Sequence, residues 1–215
     1  MVGRYVISGF VAAIALSWCG SALAEDPGKS SEPSPQLQAA TRIFSQLLMT
    51  GHPQGFELAS FEKVQNGFYI RESVAKGESV NDWHQMITVT GMKDLALSRP
   101  ELTAKMVLNR MVEGFKHSCP FSFGTQVLND SPISGFDAAV AVASCGTATG
   151  TAGKTSEAAL IAVIKGLNDF YTVQWAERAT PSNGPIPIDV QEWTDRFKAL
   201  GPITLAPEAE GRKPQ

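Results

Sequence analysis

The chain has 215 residues, and 43% of them are hydrophobic, which is enough for one globular domain with a core of its own. Its 18 basic and 21 acidic side chains give a formal net charge of −3. This balance excludes the strongly basic class of nucleic-acid-binding proteins.

The first element in chain order is a predicted signal peptide, residues 1–24. Arg4 supplies a positive charge, an apolar stretch runs from Val6 to Trp18, and Ala22-Leu23-Ala24 stands directly before the acidic Glu25. This order is typical of secretory signals. The apolar stretch is also shorter than the roughly 20 residues that a transmembrane helix needs. We therefore predict cleavage between Ala24 and Glu25, a periplasmic or secreted protein, and no transmembrane anchor after cleavage.

Two alternatives to a cleaved signal stay open. The first is an uncleaved membrane anchor. The second is a lipoprotein with Cys19 as the modified residue, since Leu16 stands three residues before it. A small residue normally precedes a lipidated cysteine, and here that residue is the bulky Trp18, which argues against the second alternative.

The mature chain has a predicted folded unit between two polar ends. Residues 25–35 (EDPGKSSEPSP) are rich in proline, glycine and serine, which indicates a flexible linker. Residues 207–215 (PEAEGRKPQ) have too few apolar side chains to be buried and are predicted to be a disordered tail. We place a single domain over residues 36–206.

Three helices are predicted in this domain. The first starts at a Ser34 cap and ends at Gly51, because apolar residues fall on one helical stripe: Leu37, Ala40, Phe44, Leu47 and Leu48. The second follows Pro100 and extends to His117. The third begins at Asp189, a capping residue with Glu192 three positions later, and ends at Gly201-Pro202.

The segments between these helices have the alternating or β-branched patterns of strands. Gln65-Asn66-Gly67 between the first two segments is a strong hairpin signal. The predicted strands are Phe56–Lys63, Gly67–Val74, Trp83–Thr90, Phe121–Leu128, Phe136–Cys145 and Phe170–Glu177. Helices at both ends and in the middle of such a series predict an α+β fold, with a mainly antiparallel sheet and helices packed on it.

Residues 148–155 (ATGTAGKT) nearly match a phosphate-binding loop, in which a strand leads into a helix. The first glycine of that motif is replaced by Ala148, and no following segment supplies a magnesium-binding aspartate. The segment 157–165, next in the chain, fits a helix or a strand. We favour a strand, because it is apolar on both faces and a short turn separates it from the next one. The interval from Gly146 to Thr155 is then a mobile surface loop, and no nucleotide cofactor is expected.

Cys119 and Cys145 are the cysteines that remain after signal cleavage, and an even pair in an exported protein predicts a disulfide bond. The alternative use of these thiols is a zinc site completed by His84 and His117. The disulfide accounts for both cysteines more simply, so no metal is predicted.

The chain has no recognisable catalytic motif: no serine has the flanking glycines of a nucleophile elbow, and the cysteines lack CxxC spacing. Polar side chains on the predicted strands would instead form a ligand groove if one face of the sheet is partly open. These groove residues are His84, Thr88, Gln126, Thr172 and Gln174. The alternative is a periplasmic hydrolase with an unrecognised site around His84 or His117.

Two stretches resemble the PsbP/Mog1/DcrB-like group of small proteins: GFYIRESVAKGESVNDWHQMITVTG, residues 67–91, and SEAALIAVIKGLNDFYTVQWAER, residues 156–178. The resemblance implies helices on both sides of an antiparallel sheet and an accessory or binding role. It assigns no functional residue here, because no site motif of the group is visible. Together, these features predict an exported, non-enzymatic protein of the bacterial cell envelope that binds a protein partner or a small ligand.

Overall fold

The computed structural model describes residues 38–147 and 155–207, and their backbone forms two antiparallel sheets and three helices. The larger sheet contains β3 (Phe61–Gln65), β4 (Phe68–Val74), β5 (Gln85–Met92), β6 (Phe123–Asn129), β7 (Ala138–Thr147), β8 (Ser156–Lys165) and β9 (Phe170–Ala179). The smaller sheet contains β1 (Gln38–Ile43), β2 (Gln46–Gly51) and β10 (Thr204–Pro207). The helices are α1 (Leu95–Ser98), α2 (Ala104–Ser118) and α3 (Val190–Leu200).

The strand order of the larger sheet is β3-β4-β5-β9-β8-β7-β6, and that of the smaller sheet is β1-β2-β10. The described residues all belong to one compact unit. The predicted α+β class with a mainly antiparallel sheet in a single domain is therefore confirmed. None of the helices in 38–147 and 155–207 is long and apolar enough to cross a membrane.

The predicted first helix is wrong: its described part is the hairpin of β1 and β2, and residues 34–37 lie outside the described residues. Phe44 turns the chain with a left-handed φ of 51°. In β2, Gln46, Leu48 and Thr50 are buried while the residues between them are half-buried, which is the period of a strand. The apolar stripe fitted a helix equally well. The decisive partner is β10, which pairs with β2 from the far end of the chain.

The two other predicted helices are confirmed, and polar side chains fix their starts. The Thr103 hydroxyl accepts from the Met106 amide at 3.2 Å, while an Asp137 carboxylate oxygen accepts from the Ala104 amide at 2.8 Å. At α3, Asp189 accepts from two amides of the first turn, as its capping position predicted. These caps settle where each helix begins.

The predicted hairpin is also confirmed: Asn66 and Gly67 both have positive φ, 51° and 74°, between β3 and β4. The segment 157–165 is a strand, β8, which pairs with β7 on one side and β9 on the other. It is buried on both faces, which explains its unbroken apolar sequence. Residues 148–154 of the predicted loop lie outside the described residues. The next element in the chain is the strand β8, whereas a phosphate-binding loop would lead into a helix.

A buried aspartate joins the two sheets. Asp169 is 1% exposed and accepts hydrogen bonds from the Ser45 amide at 3.1 Å, the Ser45 hydroxyl at 2.5 Å, the Asp94 amide at 2.7 Å and the Tyr171 hydroxyl at 3.0 Å. Burial by itself would raise the pKa of Asp169, but these donors together hold it below its usual value. The ionised carboxylate therefore fixes the β1–β2 turn on the larger sheet.

The larger sheet packs a different layer on each face. On one face, β7 and β8 present small side chains to α2, chiefly Ala139, Ala141, Ala143 and Ala159. The opposite face, which includes Tyr171, shares a core of larger side chains with the smaller sheet and with Trp193 and Leu200 of α3. Because α2 lies over β6, β7 and β8, no described helix covers the same face of β4 and β5. This offset of α2 creates the candidate site.

Candidate ligand-binding cleft

A cleft of about 570 Å³ lies beside α2, over the strands β4, β5 and β9. Its floor consists of side chains from β4, β5 and β9, and its wall of side chains from α2 and the segment before it. The described lining residues are Phe68, Ile70, Thr88, Thr90, Met92, Leu95, Leu102, Met106, Val107, Arg110, Met111, Thr172 and Gln174. Its size is that of a small-molecule site, which is typically about 300–1,000 Å³.

Strand register places the polar part of the floor. Thr90 pairs with Thr172, and Thr88 pairs with Gln174, so the four side chains form two adjacent cross-strand pairs on one face. The Thr90 and Thr172 hydroxyls are 2.7 Å apart, and the Gln174 amide donates to the Thr172 hydroxyl at 3.2 Å. The two threonines thus satisfy each other, and no ligand is needed to pair them.

The remaining lining is apolar, and part of it faces solvent. Phe68 at the floor edge is 42% exposed, and Met106 on the wall is 50% exposed. Met92 and Met111 are half-buried beside them. Methionine side chains adapt to ligands of different shape, and contiguous exposed apolar groups in a concave surface typically mark binding sites.

Charged side chains stand at the borders of the cleft. Arg110 on α2 is the charged residue among its described lining, and it forms no ion pair with another described residue. On the floor side, Glu72 pairs with Thr88, and Lys63 pairs with Ile70, so both share the face of the cleft. Burial raises the pKa of Glu72. Arg110 is therefore the positive charge that belongs to the described lining itself.

The structure brings three of the five predicted groove residues together: Thr88, Thr172 and Gln174 line the cleft. Gln126 lies on β6 at the far edge of the sheet, paired with Val142, whose side chain belongs to the core on the opposite face. His84 precedes β5, and its side chain is 82% exposed, with Nδ1 2.9 Å from Glu78 Oε1. Neither of these two residues lines the cleft.

The helical wall of the cleft was not foreseen from the sequence. Met106 and Arg110 stand four residues apart on α2, with Met111 next to Arg110, so one side of the helix carries all three. A methionine and an arginine exposed beside the apolar stripe of a helix were the available signal. These two residues indicate a binding site only when the helix is known to lie at the edge of an uncovered sheet face.

The predicted disulfide is present between Cys119, directly after α2, and Cys145 on β7, with Cα atoms 5.7 Å apart. Both cysteines are 2% exposed. The bond fixes the C-terminal end of α2 on the sheet and so supports the wall of the cleft. In residues 38–147 and 155–207 no three His, Cys, Asp or Glu side chains are placed to hold a metal ion.

The histidines of the hydrolase alternative lie apart from the cleft lining. His117 is exposed near the end of α2 and borders a separate polar depression together with Arg110 and Glu113. His84 contacts Glu78 at the surface. The structure therefore gives the hydrolase alternative no support.

No protein-family model matches the chain, and no curated protein matches it either. Among solved structures, it is similar to the Ran-binding protein Mog1p of Saccharomyces cerevisiae, with a TM-score of 0.40, 11% identity, and coverage of 78% of this chain and 86% of that one. A point mutant of protein Mog1 gives a TM-score of 0.40 and 12% identity over 77% of this chain and 86% of that one.

A crystal structure from Bacteroides thetaiotaomicron VPI-5482 gives a TM-score of 0.35 and 11% identity, covering 77% of this chain and 47% of that one. All three TM-scores lie below 0.5. At such scores the likenesses describe an arrangement of strands and helices and say nothing about what this chain binds.

Proposed function

We propose that the protein is an exported accessory or binding protein of the bacterial cell envelope, and that it takes an apolar ligand into the cleft. The observation that carries the binding role is the apolar lining between α2 and the uncovered face of β4, β5 and β9. The signal-like residues 1–24 support export.

Binding is favoured over catalysis by the chemistry of the lining. The polar groups among its described residues are three threonine hydroxyls, one carboxamide and one guanidinium. Such groups orient a ligand, but they do not supply the general base or activated nucleophile that a hydrolase needs.

The exposed apolar lining contributes to the affinity for such a ligand. Full burial of a phenylalanine or methionine side chain is worth about 1.5–3 kcal/mol each relative to leaving it exposed. A ligand that covers the exposed parts of Phe68 and Met106 recovers a fraction of this from both side chains. A neutral apolar molecule should therefore bind without any ion pair.

A neutral fluorescent probe, N-phenyl-1-naphthylamine, tests the binding site with two matched variants. Thr88→Phe fills the floor of the cleft and should abolish the fluorescence increase that the wild-type protein gives. Gln126→Phe places the same side chain on the other face of the sheet and should leave binding unchanged. If both variants bind as the wild type does, the cleft is not the binding site.

Export is tested separately by an intact mass of the protein recovered from its native host without reducing agent. A mass that begins at Glu25 and is two hydrogens below the thiol form supports both the cleaved signal and the disulfide. A full-length mass with free thiols contradicts both.

A further inference from the structure

We infer that the ligand is a free single-chain amphiphile with an anionic head group, whose head meets Arg110 while its chain lies on the apolar floor. This inference rests on the proposed binding function of the cleft. It adds the chemical class of the ligand and its direction in the site.

The two ends of the cleft differ in polarity. Lys165 pairs with Phe170 at the start of β9, and its Nζ donates to the Leu102 carbonyl at 2.7 Å, so α2 begins at that end of the sheet. Phe170 also pairs with Met92, and Met92 with Phe68. The end of the cleft nearest the start of α2 is therefore apolar.

The polar end lies further along both elements. Gln174 is four residues, about 13 Å, beyond Phe170 on β9. Arg110 is six residues, about 9 Å, beyond the first helical residue Ala104. Since the end of α2 is tied to β7 by the disulfide, the helix advances in the direction that β9 takes away from Phe170. Arg110 and Gln174 thus stand at the same end.

Arg110 is the charged group of the described lining at this end, and its guanidinium is available to a ligand. The threonine pair of the floor is hydrogen-bonded internally, whereas the guanidinium has no carboxylate partner among the described residues. A carboxylate pairs with a guanidinium through two parallel hydrogen bonds, which gives both charge complementarity and direction. The Glu72 carboxyl beside Thr88 would repel an anionic head, so the head lies towards α2 and not towards β4.

The size of the site favours a single free chain over a macromolecular partner. Thirteen described residues line it, whereas a stable protein–protein interface takes about 20–30 residues on each side. A volume of about 570 Å³ suits one small molecule. The ligand is therefore a monomeric amphiphile and not a bilayer surface or a second copy of the chain.

The test uses sodium decanoate as the anionic probe and 1-decanol as the neutral one, with ¹³C-methyl NMR of the methionines as the readout. Met92, Met106 and Met111 line the cleft, while Met49 on β2 and Met86 in a separate cluster serve as internal controls. We expect decanoate to shift the three cleft methyl signals and to leave the two controls in place. In a series of chain lengths, affinity should rise about fourfold per added methylene until the floor is covered.

Arg110→Gln should weaken decanoate binding about three- to tenfold and should affect 1-decanol binding less, because a neutral head group forms no ion pair with the guanidinium. The matched control is Lys105→Gln, another cation of α2, whose Nζ contacts Asp130 and does not line the cleft. That variant should bind both probes as the wild type does. Because Arg110 is exposed, its replacement should leave the fold intact.

Five results overturn the inference. If 1-decanol binds as tightly as decanoate, or Arg110→Gln changes nothing, the ligand is not anionic, although the apolar cleft stands. If neither probe shifts the cleft methyl signals, the proposed function fails as well. Binding to phosphatidylglycerol vesicles without binding to free decanoate identifies a membrane surface. Self-association that broadens the cleft methyl signals without any probe identifies a second copy.

Discussion

The disulfide between Cys119 and Cys145 should provide a large share of the stability of this domain. The perturbation is Cys119→Ala, Cys145→Ala or both together. The bond closes a loop with a sequence separation of 26 residues. In the chain-entropy model, a loop of this length restricts the unfolded state enough to stabilise the folded state by about 3.5 kcal/mol.

Urea unfolding followed by tryptophan fluorescence measures this effect. With a slope of about 2 kcal/mol per molar urea, a loss of about 3.5 kcal/mol lowers the midpoint by roughly 1.5–2 M. The two single variants and the double variant should shift the midpoint equally, because each removes the same bond. Wild-type protein unfolded in the presence of dithiothreitol should match them.

Unequal midpoint shifts of the two single variants would refute this reasoning. They would show that one cysteine stabilises the protein through contacts other than the disulfide bond. A wild-type midpoint that dithiothreitol leaves unchanged would refute the reasoning as well. An equal loss of stability in all three variants, with the same slope for each of them, assigns the effect to the bond, because all three then share the same unfolded state without the crosslink.

Two further predictions concern the packing and the electrostatics of the fold. Gly91→Ala should lower the unfolding free energy by about 1–3 kcal/mol in urea titrations, because its Cβ would overlap Ile43 Cγ2 and lie 3.3 Å from Phe44 Cε2. Gly114→Ala on α2, whose Cβ meets nothing within 4 Å, is the control and should raise stability by about 0.5–1 kcal/mol. A Gly91→Ala protein as stable as the wild type would contradict the close approach of the β1–β2 turn to β5. Asp169 has a pKa below its unfolded value, so its ionised form stabilises the protein above about pH 4, and this stability is lost as the pH falls through the lower, folded-state value. Asp169→Asn should be less stable than the wild type at pH 7, and its urea midpoint should change less between pH 5 and pH 2; equal pH profiles for the two proteins would show that Asp169 does not contribute.

Local signals decided those parts of the fold whose partners lie close in the sequence. The Asn66-Gly67 turn needs two residues that tolerate positive φ, and both adopt it. Asp189 caps α3 with its own side chain, within three residues of the amides it binds. The apolar sequence of β8 required burial on both faces, and the sheet provides it. The cysteine pair indicated its own bond because the predicted signal cleavage would leave two thiols.

The first hairpin depended on a partner that no local pattern reveals. The apolar residues between Ala40 and Leu48 suit the stripe of a helix as well as the alternation of strands. Pairing of Leu48 with Leu205, 157 residues later in the chain, selects the strand. The helix propensity of a segment depends on a few neighbouring residues, whereas strand pairing also depends on distant ones. Here the pairing with β10 decides the structure.

The candidate site, too, was predicted in part from local patterns and depends in part on tertiary packing. Alternation within β5 and β9 placed Thr88, Thr172 and Gln174 on common faces, and the cleft contains all three. Alternation alone does not relate one strand to another, so Gln126 joined this set from the sequence, although its register with Val142 turns it to the other face. The position of α2 is a tertiary matter: alanines on β7 and β8 let the helix approach there, and Arg110 becomes a cleft residue only because β4 and β5 remain uncovered. Sequence by itself determined the Asn66-Gly67 turn, the Asp189 cap and the strand β8. Three-dimensional packing decided the first hairpin and which strands and helices meet, because contact between distant segments depends on shape and register that no short stretch of chain contains.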